Sequence, residues 1–312
     1  MDCVDLKIGF SCNNDCLHCV TADKRKFGDL AVARIKEEIA FYQKHTEAVL
    51  VLTGGEPTLR PELPDLVEQA RRTGFTRIEL QTNGRRLASE PLARKLAEAG
   101  LTSALVALHG PQHEIHDPIV KRQGAFAETI AGMRNLIANR RTVKTNTVIS
   151  KLNLPHLEAM VPFLSRQFPE LRMAQLTFPH PNGNAYKNLK LVVPLLKETA
   201  QAVMNTLRKG LRQEIWFNVE AIPPCLLPGF EKHIVDLRPR LVTGSDMGSG
   251  FPGGRVPLYR EALRKEKRKG KQCQTCSLSS ICDGIWKEYA EKHGTEELSP
   301  VSQLDPEYLI EG

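Results

Sequence analysis

The sequence predicts an α/β fold: an open partial barrel of six βα units, (β/α)6, followed by a loop-rich C-terminal domain. Three observations predict it. Strand-like apolar runs recur through the first two thirds of the chain, and a helix-period pattern follows each of them. After about Gly210 both periods fade, while Gly and Pro become frequent. Strands alternating with amphipathic helices form a parallel sheet with right-handed crossovers. Six units fall short of the eight that close a TIM barrel, so a TIM-like sheet here should stay open.

The strand-like runs are Asp5–Gly9, Glu47–Thr53, Thr76–Gln81, Ser103–Leu108, Thr142–Ser150 and Leu171–Phe178. The first helix follows Asp29 as its expected N-cap and puts Ile35, Ile39 and Tyr42 on one face. Another starts after Ser89, sets Leu92 and Leu96 four apart, and stops at Gly100. A third repeats Phe126, Ile130, Met133 and Ile137, the spacing of a buried stripe. Pro162 lies inside a fifth helical pattern, where a kink or early stop is expected. A boundary is expected near Leu211, dividing residues 1–210 from 211–312, and Val242–Pro257 reads as a mobile loop.

Composition bounds the function. The chain has 312 residues, 41% hydrophobic and 25% charged, as ordinary globular proteins do. No run approaches the apolar length of a membrane span, and the N-terminus lacks a secretory pattern. A cytoplasmic protein with no membrane or nucleic-acid partner is expected. The formal charge is +7, concentrated in Arg260–Lys271, where seven basic residues face Glu261 and Glu266. That stretch reads as a solvated face or as a dock for an acidic partner.

Eight cysteines in a reducing compartment point to metal ligands rather than disulfides. Cys12, Cys16 and Cys19 form one tight group, and Cys273, Cys276 and Cys282 form another. Cys225 follows an Ile-Pro-Pro turn, and Cys3 reads as a small buried hydrophobe. Three thiolates on one loop can hold three irons of a [4Fe–4S] cube and leave the fourth open to a small chelating molecule. The competing ion is zinc, with His18 as a fourth ligand. Its position between two cysteines is poor for tetrahedral geometry.

Cys12-x₃-Cys16-x₂-Cys19 after a first strand resembles the signature of the radical S-adenosylmethionine (radical SAM) superfamily. Thr53-Gly54-Gly55-Glu56-Pro57 resembles that family's GGEP motif, and Thr82-Asn83-Gly84 its ribose-contacting loop. A weaker match places Asn146, with Val148, where relatives contact the cofactor. His109-Gly110, His116-Asp117 and Gly124-Ala125-Phe126 look like a degraded pattern of peptide-modifying members. The resemblance implies cofactor contacts at Gly54, Gly55, Glu56, Pro57, Asn83 and Asn146, with the Glu56 carboxylate on the methionine ammonium. It implies a [4Fe–4S] cluster on Cys12, Cys16 and Cys19. It further implies S-adenosylmethionine cleaved reductively to a 5′-deoxyadenosyl radical, which abstracts hydrogen from a substrate.

Cys273-x₂-Cys276-x₅-Cys282 with Asp283-Gly284 resembles part of the SPASM and twitch domains that follow many such barrels. A full SPASM domain carries more cysteines than this segment has. With Cys225, the resemblance implies a twitch-like domain holding one auxiliary [4Fe–4S] cluster, and zinc fits four cysteines equally by count. The implied partners are an electron donor such as flavodoxin or ferredoxin, and a peptide or small-molecule substrate. The basic segment favours a peptide; the eleven residues before Cys12, too few for a leader-binding domain, favour a metabolite. A non-catalytic iron–sulfur or zinc protein is the remaining class, and it leaves the Gly54–Pro57 turn without a purpose. His109, His180, Asn182 and Asn184 follow the fourth and sixth strands as candidate substrate contacts, or as caps. No general acid or base is legible.

Overall fold

The computed structural model describes residues 3–237, 248–251, 254–256 and 264–303. The strands are β1 (Cys3–Lys7), β2 (Val49–Thr53), β3 (Arg77–Thr82), β4 (Ser103–Ala107), β5 (Thr142–Val148), β6 (Met173–Thr177) and β7 (Trp216–Glu220). All seven are parallel and hydrogen-bonded in the order β7-β6-β5-β4-β3-β2-β1, a curled half-barrel. At the other edge β8 (Gly248–Phe251) joins β1 in parallel, and β9 (Gly254–Val256) returns antiparallel to β8.

Between the strands run α1 (Val32–Phe41), α2 (Leu63–Thr73), α3 (Glu90–Ala99), α4 (His113–Val120), α5 (Ala125–Ala138), α6 (Leu157–Gln167), and α7 (Gly183–Lys187), α8 (Leu189–Val192) and α9 (Leu196–Arg212). Residues alternate across each strand. Val4 and Leu6, Leu50 and Leu52, Ile78 and Leu80, Ala104 and Val106 are fully buried against the helices. The opposite face lines the lumen with polar groups. There the Asp5, Lys7, Glu79 and Lys144 side chains pair, Lys7 with Asp5 and Lys144 with Glu79. Beyond the sheet, β10 (Lys267–Arg268) pairs antiparallel with β11 (Ile285–Trp286), and α10 (Lys287–His293) follows. No helix among the described residues is long and apolar enough to cross a membrane.

The structure adds a seventh strand to the expected six, and this strand lies past Leu211. Ile215, Phe217 and Val219 are buried in alternation, so the sheet runs on across the expected boundary. Asp29 does not cap α1, which begins after Ala31. Its Oδ1 instead accepts from the backbone N–H groups of Phe10 and Ser11, each at 3.0 Å. Pro162 does not stop α6, which continues to Gln167 because Met160, Val161 and Leu164 bury its inner face. Of Val242–Pro257, the hairpin strands β8 and β9 are described, and the rest lies outside the described residues, as do residues 260–263 of the basic stretch.

Candidate cofactor site at the C-terminal edge of the sheet

β1 delivers the chain to the loop of Cys12, Cys16 and Cys19 at the edge where barrel folds assemble their sites. Other elements hold this loop through its backbone. Asp15 and Leu17 N–H groups donate to the carbonyls of Val120 (3.1 Å) and Ile119 (2.9 Å) at the end of α4. Arg25 Nη2 donates to Asn14 O at 2.7 Å, and Arg85 Nη1 to Asn13 O at 2.8 Å. From the β6 side, Asn184 donates its N–H to Cys19 O (2.9 Å) and its Nδ2 to Cys16 O (3.0 Å). Such pairing fixes a loop that has no regular structure of its own.

All eight cysteines are free and partly exposed. Burial, then repulsion from Cys19 and Cys12, pushes the Cys16 thiol well above its ordinary range. Burial is also the main cause of the raised Cys12 thiol. Only His180, Glu266 and Glu288, among the described residues, bring three ligand atoms within 4.8 Å of one another. Three thiolates on one loop suit a cube that takes one thiolate per iron. His18 does not complete a zinc set: it is buried and packs edge-on against His109, ring centroids 4.5 Å apart.

The Gly54–Pro57 turn lies directly against this loop. The N–H groups of Gly55 and Glu56 donate to the carbonyls of Gly9 (2.8 Å) and Ser11 (2.7 Å). A Cβ on Gly54 would sit 2.1 Å from Gly9 O, and one on Gly55 2.2 Å from Ser11 O. Only glycine permits the approach, and Gly54 also holds φ +133°. Pro57 opens a 3-10 turn, Pro57–Leu59, that Glu56 caps by accepting from Thr58 N–H at 3.0 Å.

Glu56 itself is buried. Its Oε1 also accepts from Thr82 Oγ1 at 2.6 Å, and its Oε2 from Asn83 N–H at 2.7 Å. Asn83 Nδ2 donates onward to Asn13 Oδ1 at 2.7 Å. Cys12, Cys16, Cys19, Gly54, Gly55, Glu56, Pro57 and Asn83 thus meet in one bonded constellation after β1, β2 and β3. Asn146 stands apart on the lumen face of β5, where its Oδ1 accepts from Thr177 Oγ1 at 2.9 Å. Thr177 Oγ1 and Gln175 Nε2 also bond Glu220 Oε2, whose carboxyl burial pushes up. The sequence gives Asp29 a different role, that of a helix cap, and leaves Arg85 and Glu220 unmarked, because single charged residues carry no spacing signal.

The candidate substrate residues divide. Asn182 caps α7 by accepting from Gly183 N–H at 2.7 Å, and Asn184 holds the cysteine loop. His109 is buried, and its N–H donates to His116 Nδ1 at 3.1 Å. His180 stacks on Trp286, centroids 3.8 Å apart, at the seam between the β6 loop and the C-terminal segment.

Cys225, Cys273, Cys276 and Cys282 come together around one cavity, beside Pro223 and Pro224. Burial raises the Cys225 thiol, with Cys273 and Cys276 adding to it, and pushes Cys282 up to about 11. Backbone N–H groups already address the sulfurs, Gly284 to Cys282 Sγ at 3.3 Å and Val301 to Cys276 Sγ at 3.4 Å. Cys3 stands alone on β1, its thiol pushed to about 12 by burial and then by Asp5 and Glu79.

Comparison with known proteins agrees with this geometry. The family model of the radical SAM superfamily matches residues 6–164. The mycofactocin maturase MftC of Mycobacterium tuberculosis (strain ATCC 25618 / H37Rv) is 29% identical over 176 residues, 56% of this chain and 44% of its own. The AdoMet-dependent heme synthase of Methanosarcina barkeri is 32% identical over 148 residues, 47% of this chain and 42% of its own. The chain thus spans less than half the length of these relatives. Among solved structures, Streptococcus suis SuiB bound to S-adenosylmethionine aligns with TM-score 0.67 at 16% identity, covering 97% of this chain and 77% of SuiB. SuiB bound to its precursor peptide SuiA gives 0.66 at 14% identity, covering 97% and 76%.

Proposed function

The chain belongs to the radical SAM superfamily, and on that premise we propose that it modifies a peptide or protein substrate held over the C-terminal edge of its sheet. The observation that carries the reading is the single bonded constellation joining the three-cysteine loop to the turns after β2 and β3. The family's cofactors are a [4Fe–4S] cluster and S-adenosylmethionine, and together they supply reductive cleavage and a hydrogen-abstracting radical.

In this proposal Cys12, Cys16 and Cys19 hold the cluster, and the backbone of Gly54, Gly55 and Pro57 with Asn83 lines the cofactor's place. Glu56 fixes that backbone, since its carboxylate already accepts several internal hydrogen bonds. Asn146 presents its amide from β5 toward the lumen. Cys225, Cys273, Cys276 and Cys282 hold an auxiliary [4Fe–4S] cluster in the 211–312 segment. The maturase relative and the peptide-bound SuiB structure support a peptide substrate. The heme synthase relative supports a second reading, a small-molecule substrate.

The test is anaerobic assay with dithionite and S-adenosylmethionine, following 5′-deoxyadenosine. The protein should form it, and the Cys12→Ala/Cys16→Ala/Cys19→Ala variant should not. Equal rates from the two would sink the reading.

A further inference from the structure

The loop of Cys16 and Cys19 reaches the surface between two short helical pieces, the 3-10 turn Ala22–Phe27 and α7. Gly183, at the start of α7, lies so close that a Cβ there would meet Cys19 O at 2.6 Å. Asn188 Nδ2 donates to Leu17 O at 3.1 Å, and α7 packs on the 3-10 turn. The far side of this small assembly faces solvent. Val20, Phe27 and Tyr186 are 39%, 61% and 60% exposed there.

Single exposed apolar residues are ordinary, but here three large ones lie on the packed elements that flank one functional loop. Its charge is one-sided. Segments 20–27 and 183–191 hold Lys24, Arg25, Lys26, Lys187 and Lys190 against Asp23. Lys26 Nζ sits 5.2 Å over the Phe27 ring. Asp15, on the loop itself, is already bonded by Lys121 at 2.7 Å and Arg25 at 3.3 Å.

We propose that this face docks a small acidic electron-carrier protein that reduces the cluster on Cys12, Cys16 and Cys19. The inference rests on the radical SAM reading, which alone requires an external electron. One electron leaves the reduced carrier, a flavin or iron–sulfur protein, and enters the cluster; no bond or proton crosses the interface. Electron transfer weakens steeply with distance, so the carrier must touch surface beside the loop. Val20 adjoins Cys19, and Cys19 Sγ lies 3.5 Å from Thr21 Oγ1 at the base of the 3-10 turn. Redox encounters use small faces, aromatic residues are enriched at interface centres, and opposite charge steers the approach. Phe27, Tyr186, Lys26 and Lys187 match that description.

The experiment compares two reductants on the holoenzyme. One is dithionite; the other is a purified acidic flavodoxin kept reduced by its reductase and NADPH. The variants are Lys26→Glu/Lys187→Glu and Phe27→Ser/Tyr186→Ser. With flavodoxin, the charge-reversed variant should form 5′-deoxyadenosine about tenfold more slowly, the low end of electrostatic steering. Its rate should also lose the wild-type sensitivity to ionic strength. The apolar variant should slow as well, and both should match wild type with dithionite.

Wild-type flavodoxin rates in both variants overturn the proposal. So does equal loss with both reductants, which would place these residues in the fold of the loop. Self-association lost in the variants at unchanged flavodoxin rates would assign the face to a second copy and overturn it too. A wild-type enzyme silent with dithionite fails the radical SAM reading itself, a separate result.

Discussion

Glu56 Oε2 accepts the backbone N–H of Asn83 at 2.7 Å, and this bond ties the turn after β2 to the loop after β3. The opposite oxygen accepts from Thr58 and Thr82, while Asn83 passes the connection to Asn13 on the cysteine loop. One buried carboxylate thus sets the relative position of three loops. A buried acceptor with several donors is costly to remove, since each donor left unpaired pays its own desolvation.

Glu56→Gln replaces one accepting oxygen with an NH₂ group that confronts donors. The variant should lose roughly 1–3 kcal/mol of stability for a donor left unpaired. It should also bind S-adenosylmethionine about tenfold more weakly, the affinity equivalent of about 1.4 kcal/mol, at unchanged iron content. Denaturation, calorimetry and iron analysis check these outcomes together. Unaltered stability and affinity would show that the network does not organise the site.

Much of this was legible in the sequence because periodicity and spacing are local. The strand runs kept their places, Gly100 ends its helix in the left-handed region, and Ile130 and Met133 are buried as their spacing requires. What escaped depends on distant partners. Asp29 has the chemistry of a cap, yet the N–H groups of Phe10 and Ser11 compete for it and win. β7 was hidden by the Gly- and Pro-rich texture after it, although Ile215, Phe217 and Val219 carry the alternation. The internal bonds of Glu56 carry no local signal, because its four hydrogen bonds come partly from residues about one βα unit away.

Asn184 should govern the durability of the cluster loop. Its Nδ2 donates to Cys16 O at 3.0 Å and to Asp15 Oδ1 at 3.3 Å. Asn184→Ala removes these bonds, each worth about 1 kcal/mol, while leaving the three thiols in place. The variant should assemble its cluster but lose it several-fold faster in air, followed by the decay of visible absorbance. Identical decay would remove Asn184 from loop positioning.

His116 should make stability pH-dependent. Burial holds its pKa down at about 4, against about 6.5 in the unfolded chain. The native side chain stays neutral as pH falls, while the unfolded chain takes up a proton, so stability is full above about pH 6.5 and declines toward pH 4. His180, also held at about 4 by burial, adds to the same slope. His116→Asn keeps an acceptor for His109 N–H without a titrating ring. Between pH 7 and 5 this variant should lose about 2 kcal/mol less stability than wild type, by denaturant titration at constant iron content. Equal slopes would mean that other groups carry the dependence.

Cys225, Cys273, Cys276 and Cys282 allow the two metal centres to be separated. They share one cavity, and two of their sulfurs already accept backbone N–H groups. If they hold a second cube, the reconstituted protein should carry about eight irons per chain, four for each cube. Cys273→Ala/Cys276→Ala should lower this to about four, because two thiolates do not retain a cube. The same variant should still form 5′-deoxyadenosine, since the loop of Cys12, Cys16 and Cys19 draws its bonds from α4, Arg25, Arg85 and Asn184 instead. Turnover of the true substrate should be lost. A fall in thermal stability along with the iron would show that the metal also closes this segment, because ligation contributes folding energy directly. Four irons and one zinc in the wild-type protein would replace the auxiliary cluster with a structural ion. Metal analysis of the two proteins side by side decides between them.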